Sequence, residues 1–154
     1  MTEKQRLKKL FEDHYDGNPW LDVNITDTLS DITAQEASIN FHGLNSIWQL
    51  TKHLLEWRKT NMKRASDIIL HAPSNNFIYE INDNSNEAWK NLQQEFSKVH
   101  DELLHWISEF DFKNLDKIYE PNQHTYYEHI QGILQHDAYH LGQIVILKRL
   151  IRGI

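Results

Sequence analysis

Between positions 89 and 110 the apolar residues fall at Trp89, Leu92, Phe96, Val99, Leu103, Trp106 and Phe110, in alternating steps of three and four. That rhythm predicts a helix burying one seam in a bundle. Asn84 with Glu87 forms a capping-box pattern where this helix should open. Ser46 with Gln49 does the same for an earlier helix, expected from residue 45 or 46 to about 64 or 69. Its stripe is Ile47, Leu50, Leu54 and Trp57. A first amphipathic segment, 2–15, carries Leu7, Leu10 and Phe11 on its apolar side, and a last helix is expected from about 123 to 152. The three prolines, Pro19, Pro73 and Pro121, sit at the breaks. Trp20 to Ile32 reads as a second, short helix, Thr33–Leu44 as mixed, and 71–84 as a loop.

Four long amphipathic segments predict an all-α four-helix bundle, one domain over residues 1–154. The connections are long for a minimal bundle, which predicts at least one crossover.

Composition narrows the chemistry. Cysteine is absent and histidine occurs ten times. Disulfides, thiolate metal sites and a cysteine nucleophile are therefore excluded, and any metal or acid–base chemistry must use imidazole, carboxylate or hydroxyl groups. The formal charge of −6 offers no bulk attraction to nucleic acid. Residues 80–137 hold twelve acids against four bases, while the rest holds ten against twelve. The basic ends (Lys4, Arg6, Lys8 and Lys9; Lys148, Arg149 and Arg152) read as solvated helix faces. No apolar run is long enough for a membrane span and the first residues lack a signal peptide's apolar core, so the expected location is cytoplasmic, with no membrane partner.

The most informative segment is Gly132 to Ile144. His136 and His140, four apart, leave one helical face a turn from each other, a spacing that lets two imidazoles share a metal. They fall on a stripe with Ile133, Gln143 or Ile144, and Leu147, which predicts that both point toward the core. Gly132 and Gly142 weaken this helix by about 1 kcal/mol each relative to alanine. They imply either close helix packing or room for a ligand. Gln143 is placed to orient a ligand or a bound water. A third ligand is needed. His53, beside the stripe of the earlier helix, is the best candidate. His129 shares a face with His136 but stands about two turns away, too far to close on an ion with His140. His100, His105 and His124 are expected toward helix surfaces or ends, and His14, His42 and His71 near loops, all six as exposed histidines. Glu56 is a candidate base, Asp137 a group that orients or caps a neighbour, and Trp57 and Tyr139 candidate pocket linings or core residues.

These residues carry a resemblance. Gly17-Asn18-Pro19-Trp20, then Ser46-Ile47-Trp48-Gln49-Leu50 leading to His53, then Gly132-x3-His136-Asp137-x-Tyr139-His140-x-Gly142-Gln143-Ile144 resemble the DinB/YfiT-like superfamily along essentially the whole chain. The resemblance implies a bundle in up-down-down-up order. It also implies a three-histidine metal site, which by position falls on His53, His136 and His140. The implied cofactor is a divalent transition metal, nickel or zinc. The implied activities are thiol S-transfer or isomerisation with a low-molecular-weight thiol such as bacillithiol or mycothiol, or hydrolysis of a small substrate. It further implies a small-molecule partner and a homodimer formed through helix faces. Two other readings stay open: a metal-binding or stress-associated protein without turnover, and a helical interaction module with incidental histidines.

Overall fold

Each long helix begins where a hydroxyl side chain can accept an otherwise unpaired backbone amide. In the computed structural model, which describes residues 1–154, Thr2, Ser46 and Thr125 form capping boxes with Gln5, Gln49 and Glu128. These open α1 (Glu3–Tyr15), α4 (Ile47–Arg64) and α6 (Tyr126–Arg152). The expected Asn84–Glu87 box is not the one used. Ser85 caps α5 (Asn86–Glu109) through the Ala88 amide, because its hydroxyl is the one positioned to accept there. The helix expected over Trp20–Ile32 shortens to α2 (Ile25–Ser30), opened by Asn24, and Trp20 stands 95% exposed. A further short helix, α3 (Ala34–Ala37), follows. Residues 71–84 form no regular element, as expected.

The side-chain pairings give the topology. Trp48 meets Trp89 and Trp106 bonds to Ser66, so α4 and α5 run the same way. His53 meets His140 while Asn61 meets His129, so α6 runs against α4. Tyr15 packs on Phe96 and Lys4 reaches the Ser108 carbonyl, so α1 runs against α5. The order is up-down-down-up. Residues 65–85 must then travel back along the bundle, which is the crossover that the long connections predicted. Between α5 and α6, a two-residue hairpin pairs β1 (Ile118–Tyr119) with β2 (His124–Thr125) and seats the Tyr119 hydroxyl against Leu70.

The core divides in two. One apolar cluster gathers Leu50, Leu54, Trp89, Phe96, Leu141 and Ile144 with α2 and α3. The other gathers Leu7, Phe11, Leu103, Ile107, Ile130 and Ile133. The α5 seam follows the predicted positions except at Trp106, which is only partly buried while Ile107 beside it is buried; Phe110 is buried as expected. Between the clusters lies a buried polar layer of His14, Arg58, His100 and Asp137.

Candidate metal centre

α4 contributes His53 and α6 contributes His136 and His140, and one ring nitrogen from each lies within 4.8 Å of the other two. The two Nε2 atoms of His53 and His136 are 2.9 Å apart. A tetrahedral ion with ordinary metal–nitrogen bonds separates its donors by about 3.4 Å, so these nitrogens bracket the required spacing. No other group of three or more histidine or carboxylate side chains forms such a cluster.

The outer nitrogens are committed. His53 Nδ1 donates to the Asn76 carbonyl at 2.7 Å, leaving the Nε2 lone pair free. His140 Nδ1 donates to Gln143 Oε1 at 2.6 Å, the orienting role expected of Gln143. Asn76 and Phe77 hold positive φ of 51° and 58°, which turns the loop so that the carbonyl faces His53. Trp57 Nε1 donates to Asn76 Oδ1 at 3.2 Å and fixes the same residue from the side. Burial lowers the basicity of all three imidazoles. For His136, burial together with the neighbouring His140 and His53 pushes the pKa down to about 3. All three rings are therefore neutral near neutral pH. The donor set, its protonation and its outer hydrogen bonds fit a divalent transition metal.

The expected core-facing stripe of α6 needs correction. His136 and His140 are only half-buried and line a groove of about 960 Å³, while Asp137 takes the core position between Ile133 and Leu141. Arg58 Nε and Nη2 donate to Asp137 Oδ2 at 2.9 and 2.7 Å, and Nη1 donates to His100 Nδ1 at 3.1 Å. His100 stacks on Tyr15 with centroids 3.9 Å apart. Burial, then the Arg58 charge, pushes the His100 pKa down to about 3. Burial raises that of Asp137, and Arg58 opposes it. His14 and His100, expected to be exposed, are buried because this layer offers their rings polar or aromatic partners inside the bundle. Arg58 was missed. Its signal was a charge on the apolar stripe of α4, four residues after Leu54, matched by an opposite charge on the stripe of α6.

His129 sits down the groove, its Nδ1 3.3 Å from Asn61 Oδ1, and does not join the cluster. Trp57 and Tyr139 line the groove. Glu56 does not. It pairs with Lys52 at 3.0 Å and Lys59 at 3.6 Å, facing α5. Space beyond Gly132 and Gly142 is open, which rules out close helix packing as their reason, and Gly132 lines the groove. No helix is long and apolar enough to cross a membrane.

Comparison with protein families matches residues 23–144 to the DinB superfamily. Neither the curated proteins nor the solved structures returned a match.

Proposed function

The chain belongs to the DinB superfamily, and on that footing we propose that His53, His136 and His140 hold a divalent metal ion, nickel or zinc, in a cytoplasmic enzyme acting on a small molecule. The observation that carries this reading is the convergence of three neutral imidazoles, two with their outer nitrogens already bonded, on one wall of an open groove. A bound ion would supply Lewis acidity there, holding a thiolate or polarising a carbonyl.

The chain's own residues favour thiol S-transfer over hydrolysis. Only one carboxylate lines the groove, Glu128, and its Oε2 accepts from the Thr125 amide at 2.6 Å and hydroxyl at 3.0 Å. No free carboxylate stands beside the histidines to deprotonate water. A thiol, which ionises near pH 8.5 unaided, needs the least help from a protein base. The chain has no cysteine, so that thiol arrives with the substrate. His53 is held by Asn76 and His140 by Gln143, so the metal-facing nitrogens are oriented before any ligand enters.

Elemental analysis of untagged protein tests the metal directly. About one transition-metal ion per chain is expected, and His136→Ala/His140→Ala should abolish it. Untagged protein that neither contains nor takes up nickel or zinc refutes the reading. With metal present, bacillithiol consumption by alkylating and arylating electrophiles should depend on the loaded protein. A loaded protein that leaves the thiol untouched yet hydrolyses small esters or amides refutes the transferase assignment.

A further inference from the structure

Arg64, in the last turn of α4, lines the same groove as the three histidines. Its Nε and Nη2 both donate to the Leu70 carbonyl, at 3.1 and 2.9 Å. The guanidinium lies 5.2 Å from the Trp57 ring and 5.7 Å from that of Tyr119. Tyr119 is itself tied down, because its hydroxyl accepts from the Leu70 amide at 2.7 Å. A carbonyl and two aromatic rings therefore hold this cation in place, and no carboxylate pairs with it.

The hydrogen bonds leave a defined edge free. Leu70 uses the Nε/Nη2 side of the guanidinium, so the Nη1/Nη2 fork remains, and that fork matches the two oxygens of a carboxylate. Asn61 and Asn122 add side-chain amides to the lining. Asn61 Oδ1 faces His129 Nδ1, which leaves the Asn61 amide hydrogens for a ligand. Glu128, the one acid of the lining, is occupied by Thr125. Trp57 spans the distance to the metal ligands, its ring 5.9 Å from that of His136. The guanidinium and the histidines are thus separated by one aromatic side chain, within reach of a single small molecule.

We infer that Arg64 anchors a carboxylate of the substrate, so that the groove takes an elongated small molecule with a carboxylate at one end and a metal-binding donor at the other, lying along Trp57. The inference rests on the metal reading for the second of those ends. Arg64 fixes the orientation of the ligand and selects anionic over neutral molecules of the same length.

The test uses the full chain loaded with cobalt(II) and titrated with thiol-terminated mercaptopropionate, mercaptobutyrate and mercaptohexanoate, each beside the matching mercaptoalcohol. Thiolate-to-cobalt absorption reports binding. At the best chain length the carboxylate should bind about tenfold or more tightly than its alcohol. Arg64→Gln should erase that preference and leave mercaptoalcohol affinity unchanged, and Arg64→Lys should retain part of it. Equal affinities at every length in the wild type, or a preference that survives in Arg64→Gln, overturn the inference. A mercaptoalkylphosphonate that outbinds the carboxylate overturns the choice of carboxylate. If cobalt, nickel and zinc all fail to bind, the metal reading fails separately. The metal-free protein then decides the subsite: glutarate should shift the Arg64 Nε–H NMR resonance saturably, and an unmoved resonance refutes it.

Discussion

Arg58 and Asp137 are the only oppositely charged pair wholly removed from water, and they join α4 to α6 beside the three clustered histidines. Two of the three guanidinium nitrogens serve Asp137 and the third serves His100, while its face lies 4.7 Å from the Phe96 ring. Such a pair adds little net stability, since desolvating both charges consumes most of their attraction. Removing one partner is different, because the other is left buried and uncompensated. Arg58→Met or Asp137→Leu alone should lower unfolding free energy by about 3–5 kcal/mol, and the double variant should recover most of that loss. Urea denaturation of the three variants measures it. Additive losses in the double variant would show that the two residues do not act as a pair.

At the scale of the helix, α6 carries two interior glycines that the fold does not use for close packing. A Cβ at Gly142 would enter open space, so Gly142→Ala should stabilise the protein by about 1 kcal/mol through helix propensity alone. Thermal melts should show a rise of a few degrees, and a fall would reveal a contact made by the backbone there. The helices were legible in the sequence because one buried stripe repeats at a fixed period, and the histidine pair of α6 was legible because its members stand four residues apart. Gln143 was within reach of the same reasoning, standing three residues from His140. Asn76 was not, since it reaches His53 from an aperiodic loop 23 residues away. Arg58 and Asp137 are 79 residues apart and identify each other only once α4 lies against α6. His14 and His100 were misplaced for the same reason: periodicity reports which face is buried, not that polar side chains on it will find partners. The helix expected from Trp20 begins only at Ile25, where Asn24 supplies the cap, and Trp20 itself projects from a turn.

For the molecule as a whole, burying histidines sets the response to acid. Burial, with smaller contributions from nearby charges, lowers the His129 pKa to about 4 and that of His100 to about 3, against an ordinary 6.5. Below pH 6.5 the unfolded chain takes up these protons first, so stability is full above that pH and falls as pH drops toward about 4 and 3. Each of the two should contribute a loss of about 1.4 kcal/mol per pH unit within its window. Denaturation curves between about pH 6 and pH 4 should show this slope, reduced by one proton in His129→Gln. A flat profile would mean that these rings are protonated at no penalty in the folded protein.

The crossover from α4 to α5 has a consequence for redesign. All three clustered imidazoles are mounted on helices, whereas the Asn76 end of the groove belongs to a segment that forms no regular element. The contact this segment makes with His53 is through a backbone carbonyl, which every amino acid possesses. Residues 71–84 can therefore be rewritten around that carbonyl, with residues that tolerate a positive φ kept at positions 76 and 77. The three imidazoles thus stay fixed by the bundle while the stretch that braces His53 is free to change in sequence.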